Sequence, residues 1–229
     1  MPGLQFEEPL KITISKENYL KTIAEAESEG EVVIAATLAR WLKVSAPAVT
    51  MAIRRLKRDG LIVVEDDGLI RLTPEGRDIA THILNRHHLI ERMLSEIFGM
   101  EWYMVHDEAE QLEHAVSAEF ERRLTERLGT DADCPHGNRG EIDSPSARRE
   151  RGLLPLDEMP AGTKANVVSV YERDRQLLEY LHGLGIRPGS ALQVLAHNYD
   201  ETLTLDIAGK AAPLGRAAAA KVWARALPV

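Results

Sequence analysis

Apolar residues return at helical spacing through the first two thirds of this chain and at alternate positions in the last third. Ser15 is placed to cap a helix running to about Ser28, with Leu20, Ile23 and Ala24 on one side and Gly30 ending it. Val33 to Leu42 reads as a short second helix. Val44 to Pro47 then forms a turn, with Ser45 capping a third helix and Pro47 in its first turn, where a missing N–H costs nothing. Val49, Ile53 and Leu56 give that helix an i, i+4, i+7 stripe, and Asp59-Gly60 stops it. Two short helices joined by a tight turn make a helix-turn-helix pattern. Leu61 to Glu65 and Leu69 to Leu72 are β-rich runs around the hairpin signal Asp66-Asp67-Gly68, so a wing follows the third helix. Thr73-Pro74-Glu75-Gly76 caps a long helix whose apolar face runs through Ile79, Ile83, Ile90, Leu94 and Ile97.

Beyond Gly99 the pattern predicts one helix of several turns, from about His106 to near Leu128. Thr130 to Arg151 is rich in Gly, Pro, Asp and Arg, with a turn-dense Cys134-Pro135-His136-Gly137-Asn138, and Ile142 to Leu153 reads as a linker with a short helix through Arg148. From Leu154 the composition shifts to short β-type runs, Ala165 to Val170, Ala191 to Leu195 and Thr202 to Ile207. Gln176 to Leu184 forms a helix among them, and Arg187 to Ser190 a turn. Short strands at this density suggest a small barrel. The expected fold is mainly α with a small β part. It comprises a winged helix-turn-helix over 1–73, a helical domain over 74–141, a linker over 142–153 and a β-barrel over 154–229.

The polar residues on these helices change the picture. His106, Glu110, Glu113 and His114 stand at i, i+4, i+7 and i+8, on the side that Val116, Phe120, Leu124 and Leu128 continue. That side faces inward, and burying two imidazoles and two carboxylates without compensation is costly. A divalent cation is the simplest compensation. On the preceding helix His87 and Glu91 stand at i, i+4 on the margin of its apolar face, so two neighbouring helices would present these six donors toward each other. The rival reading is a solvated surface rich in His and Glu, because single pairs at this spacing are common. Cys134 with His136 could form a metal pair, but a lone Cys in a Pro/Gly loop is more often inert.

Charge sharpens the N-terminal reading. The net charge of −8 argues against indiscriminate coating of nucleic acid. Yet Ala35 to Arg58 carries Arg40, Lys43, Arg54, Arg55, Lys57 and Arg58 and no acidic residue. The exposed face of the third helix should include Pro47, Thr50, Met51, Arg54 and Arg55. Pro47 and Thr50 suit base edges or thymine methyls, and the arginines suit phosphate or guanine. Ser45 at the cap and Arg58 at the basic end complete this candidate double-stranded-DNA set. The alternative is a solvated basic helix. No uncharged apolar run is long enough for a membrane span, and Met1 to Glu8 lacks the features of a secretory leader. A single cysteine excludes an intrachain disulfide and fits a reducing cytoplasm.

With these motifs in view, the chain resembles the diphtheria-toxin-repressor family of metal-dependent regulators, with its iron-dependent and manganese-transport-regulator branches. The carrying residues are Leu72-Thr73-Pro74-Glu75-Gly76-Arg77, Arg86-His87-His88-Leu89-Ile90-Glu91-Arg92, Val105 to Glu110 with Glu113-His114, and Cys134 to Asn138. Leu184-Gly185-Ile186-Arg187-Pro188-Gly189, in an SH3-like or FeoA-like end, also matches. The resemblance implies a homodimeric, cytoplasmic repressor of metal-homeostasis genes that binds two ions per subunit. It assigns one ion to Glu110, Glu113, His114 and Asn18. The other falls to His87, Glu91, His106 and a carboxylate of the last domain, with Asp174 first and Glu172 in reserve. Iron-type members carry Cys and Met where this chain has Glu110 and Asn18, and the manganese branch carries Glu and Asp. An oxygen-and-nitrogen set favours Mn²⁺, with Fe²⁺ the alternative. Leu177 stands where relatives have a second polar ligand, and Met51 replaces a base-reading Gln, so the family's operator sequence does not transfer. Two rival functions are a dinuclear metallohydrolase, which the basic winged helix leaves unexplained, and a winged-helix regulator sensing an organic ligand.

Overall fold

The computed structural model describes residues 12–129, 132–140 and 142–228, so Met1 to Glu8, where no leader is expected, lies outside them. The chain divides into two compact units, one up to Leu84 and one from Asn85.

The first unit holds α1 (Ile14–Ser28), α2 (Ala35–Leu42), α3 (Ala46–Arg58), a hairpin of β1 (Ile62–Val64) and β2 (Ile70–Leu72), and the start of α4 (Pro74–Arg92). Thr13, not Ser15, caps α1, its hydroxyl accepting from the Lys16 amide. α2 begins later than expected because Val33 is engaged elsewhere: it is buried, and its carbonyl takes the Ile70 amide of the wing at 2.8 Å. Ser45 occupies the N-cap position of α3, but its hydroxyl makes no capping bond. The inward stripe of α3 is Val49, Ala52 and Leu56, packed in a unit whose buried residues include Leu20, Ile23, Leu38, Leu61 and Ile70. The wing pairs Ile62 with Leu72 and Val64 with Ile70. Thr73 closes it onto α4 as expected, its hydroxyl accepting from the Gly76 amide and donating to the Gly60 carbonyl. A Cβ at Gly76 would lie 2.0 Å from the Leu61 carbonyl oxygen, so only glycine lets helix and wing meet this closely.

The second unit contains the end of α4, a π-helical turn Met93–Ile97, α5 (Val105–Leu112), α6 (Ala118–Leu128) and α7 (Pro145–Glu150). The single helix expected from His106 to Leu128 is two helices. Glu113 caps α5, and Ser117 opens α6 by accepting the Phe120 amide. The helical phase is lost at that break, so Phe120 is exposed rather than inward, while Leu124 packs with Ile90, Met93, Leu94, Val105 and Ala109. Ile97 is also exposed, at the end of the π-turn that shifts the phase of the apolar face.

The C-terminal sheet has six antiparallel strands in the order β3-β8-β4-β5-β6-β7. They are β3 (Leu153–Pro155), β4 (Lys164–Val170), β5 (Ala191–His197), β6 (Thr202–Ile207), β7 (Lys210–Gly215) and β8 (Val222–Ala226), with α8 (Arg175–Leu184) and α9 (Arg216–Ala219) between strands. The pattern missed β3, β7 and β8, which are short or rich in Ala and Pro and lack a clear alternation. Leu156, Val167, Leu178, Leu181, Val194, Leu205, Leu214 and Val222 fill the core together with Trp102, whose indole donates to His182 Nδ1 at 3.1 Å. Within 142–153, Ser144 caps α7, and Arg148 is buried with its guanidinium over the Trp223 ring.

Candidate metal centre

The last turns of α4 bring His87 and Glu91 inward, α5 brings His106, and the segment leaving β4 brings Glu172. One ligand atom from each lies within 4.8 Å of all the others, and all four residues are buried. His87 and Glu91 are 0% exposed, deeper than the helix margin expected for them. His87 Nδ1 stands 2.6 Å from Glu113 Oε2, so the imidazole donates there, and its Nε2 faces Glu91 Oε1 at 3.1 Å and His106 Nδ1 at 3.0 Å. A carboxylate behind a ligating imidazole is the usual way a metal ligand's tautomer is fixed. Two imidazole nitrogens in contact, facing two carboxylates in the interior, form a nitrogen-and-oxygen set that a divalent cation compensates.

The electrostatics without a cation show what the centre needs. Burial pushes the Glu91 carboxyl up, but the charges of His136 and His87 and hydrogen bonds from His106 and His136 hold it well below the usual carboxylate range. Glu172 follows the same pattern. Burial and the Glu91 charge raise it, His88 and His106 outweigh them, and the net shift is downward. Burial opposes a charge on His106, yet Glu110, Glu91 and Glu172 raise it to about 10. The proton that His106 keeps at neutral pH places one positive charge beside Glu91 and Glu172.

Of the donors expected for the other ion, Glu110 is exposed, 3.6 Å from His106 Nε2 and 3.4 Å from Arg173 Nη1. Glu113 is buried and His114 half-buried, with His114 Nε2 3.4 Å from Glu113 Oε1. None of the three enters the buried four-residue groups. Asn18 lies half-buried on α1, in the N-terminal unit. Asp174 is corrected: it is exposed and caps α8 by accepting the Leu177 amide, so its carboxylate is occupied as a cap. Glu172, two residues earlier, faces the cluster instead. Leu177 packs against the sheet core.

Residues outside the expected ligand set also enter, His88 and the Cys134–His136 pair, for which the sequence favours the inert reading. His136 is fully buried, its Nδ1 3.3 Å from Glu91. His88 Nε2 lies 3.5 Å from Glu172 Oε1, and Cys134 Sγ 3.8 Å from Glu172 Oε2. The signals existed: His88 and Glu91 stand at i, i+3, and Cys134-Pro135-His136 is a ligand pair in a turn. Burial, with the charges of Glu91 and Glu172, pushes the Cys134 thiol well above its ordinary value.

In the N-terminal unit, Ser45, Pro47, Thr50, Met51, Arg54, Arg55 and Arg58 are all exposed. They cover the outer side of α3 and its cap, beside a hairpin wing.

A winged helix with a basic outer helix, followed by a buried imidazole–carboxylate centre and a small antiparallel sheet, defines a class: DNA-binding regulators that carry a metal centre. Comparison with known proteins places the chain within that class. Residues 11–69 match the N-terminal DNA-binding domain of iron-dependent repressors, 73–140 their metal-binding and dimerisation domain, and 154–226 the FeoA domain. The chain is 36% identical over 188 residues to the diphtheria toxin repressor of Corynebacterium glutamicum, covering 78% of this chain and 82% of that one. It is 37% identical over 174 residues to the iron-dependent repressor IdeR of Mycobacterium tuberculosis, covering 73% of each. Among solved structures, a manganese-dependent transcriptional repressor in complex with manganese superposes with a TM-score of 0.82 at 33% identity, over 93% of this chain and all of that one. The chain belongs to the diphtheria-toxin-repressor family of metal-dependent regulators.

Proposed function

We propose that this protein is a divalent-metal-dependent transcriptional repressor that binds double-stranded operator DNA as a homodimer in the cytoplasm, with Mn²⁺ as the favoured ion and Fe²⁺ as the alternative. The observation that carries this reading is the buried set His87, Glu91, His106 and Glu172, in a chain that also presents an exposed basic recognition helix. A divalent cation would supply the positive charge these donors need and a Lewis-acid centre to tie α4, α5 and the end of β4 together. Without a thiolate, His87, Glu91, His106 and Glu172 suit a harder ion. Glu110, Glu113 and His114 are the donors for a second ion, in the role the resemblance gives them. Exposed Ile97, Phe98 and Phe120, within the segment that matches the dimerisation domain, suit contact with a second copy.

Arg54, Arg55 and Arg58 supply phosphate or guanine contacts, and Pro47, Thr50 and Met51 supply the surface that meets bases. Operator affinity can depend on the ion only as far as the DNA-competent state holds it more tightly than other states do. A coupling of ~1–3 kcal/mol corresponds to a rise of roughly 5–150-fold.

The test is an operator-binding titration at one stated salt concentration with Mn²⁺, Fe²⁺ and Zn²⁺ in turn, since phosphate contacts make affinity steeply salt-dependent. Mn²⁺ is expected to raise affinity within that range, and His114→Ala to abolish the rise while the dimer stays folded. Equal operator binding with and without metal would overturn the reading in favour of an organic-ligand sensor. Turnover of phosphoesters by the loaded protein would favour the hydrolase.

A further inference from the structure

The second unit holds a cavity of about 920 Å³ that the metal centre leaves unused. Ser95 of the π-turn, Trp102, the turn from Gly185 to Ser190 and the tip of the β6–β7 hairpin line it. The size falls where small-molecule sites do, at roughly 300–1,000 Å³. Its lining is chemically lopsided. Arg187 and His182 bring donors, Trp102, Ile186 and Ile207 bring apolar wall, and no aspartate or glutamate takes part, in a chain of net charge −8.

The two donors are held ready. The Trp102 indole donates to His182 Nδ1 at 3.1 Å, so in the neutral ring the proton sits on Nε2. That N–H makes no hydrogen bond among the described residues, and the Tyr103 ring packs on the imidazole at 4.7 Å between centroids. Arg187 stands in a locked turn. The Ser190 hydroxyl donates to the Gly185 carbonyl and accepts the Arg187 amide, each at 3.0 Å. In the same domain Arg173 meets Glu110, Arg175 meets Glu179 and Arg216 meets Asp157, whereas the Arg187 guanidinium has no ion pair among the described residues.

The backbone decides which anion fits. The amides of Gly185, Ile186, Arg187, Gly189 and Ser190 all donate within the fold, and Pro188 has none. No nest of free N–H groups is left for a phosphate, whose third oxygen would go unmet. One guanidinium and one imidazole N–H suit the two oxygens of a carboxylate.

We propose that this cavity binds a small organic carboxylate with a flat apolar body, its carboxylate on Arg187 and His182 Nε2 and its body against Trp102 and Ile207. No residue of the candidate metal centre lines the cavity, so the proposal does not rest on that reading.

The full-length chain in chelator, titrated with phenylacetate and read by NMR at the Trp102 indole N–H, tests this. A saturable shift is expected. Arg187→Ala should weaken binding roughly ten- to a hundredfold, the loss that goes with one charge-assisted hydrogen bond. Arg187→Lys should recover only part of it, because an ammonium cannot make the paired contact. Arg225→Ala, on β8 and outside the cavity, should change nothing. Absence of a saturable shift, or binding that Arg187→Ala leaves intact, overturns the proposal. Inorganic phosphate binding as tightly as phenylacetate also overturns it, as an adventitious ion only, and phenyl phosphate binding more tightly reassigns the anion.

Discussion

α3 and the α4–α5 centre both place polar side chains at helical spacing, yet they use them oppositely. Along α3 the charged residues are exposed, with Arg58 meeting Asp59 at 3.1 Å, and only Val49, Ala52 and Leu56 commit the helix to its unit. In the centre the polar residues are the interior. His87, Glu91, His106, Glu113 and His136 are buried, and each is tolerated only because the others are present. An exposed charge can be changed one residue at a time. A buried set stands or falls together.

The sharpest way to break this contrast is to remove one member of the interior set. Glu91→Ala leaves His87, His106 and His136 without the carboxylate they share. It is expected to lower metal-free stability by about 3–5 kcal/mol, as loss of one partner in a buried ion pair does. Denaturant unfolding in chelator measures it, and a loss below about 1 kcal/mol would mean that water reaches the centre. On the outer helix, Arg54→Ala should change stability by no more than about 0.5 kcal/mol. Its effect should appear in operator affinity, about 1–3 kcal/mol weaker at fixed salt. A destabilised fold with unchanged operator affinity would reverse the assignment.

The smallest expected effect lies between the two extremes. Asp59 ends α3 and meets the Lys16 ammonium of α1 at 2.9 Å, with side chains 11% and 17% exposed. The hydrogen bond from Lys16 holds its carboxyl below the ordinary value of 3.8. The folded value is therefore the lower one. The contribution is fully present above the unfolded value and is lost as pH falls through the folded value. Asp59→Asn should cost about 1 kcal/mol at neutral pH, and the difference from wild type should shrink as acid protonates the carboxyl in the folded chain. A difference that persists in acid would show that the asparagine disturbs the end of α3 rather than the ion pair.

What the sequence made legible follows the same division. The winged helix was readable because its signals are local: turn residues, an apolar stripe and a hairpin of Asp and Gly. Three donors of the centre, His87, Glu91 and His106, and Glu113 behind His87 were readable because helical spacing alone turns them inward. Glu172 was only the second choice, because chain order says nothing about which carboxylate beside β4 faces a helix and which caps the next one. Asp174 had the better cap chemistry and became a cap. Phe120 was misplaced because the count ran through Ser117, where the helix restarts. Cys134, His136 and His88 needed the loop's seat on β4, a contact between segments more than 30 residues apart, as the 32-residue separation of Asn138 and Val170 shows.

Glu113 shows how a single side chain can confound a genetic experiment. One of its oxygens meets His87 and the other faces His114. A change at this position therefore alters the tautomer of one imidazole and the neighbour of another in the same stroke. Under the two-ion reading proposed above, a defect in a Glu113 variant cannot be credited to either ion, whereas His87 and His114 variants would report on one each, so a double-mutant comparison of those two histidines is the route to testing that reading.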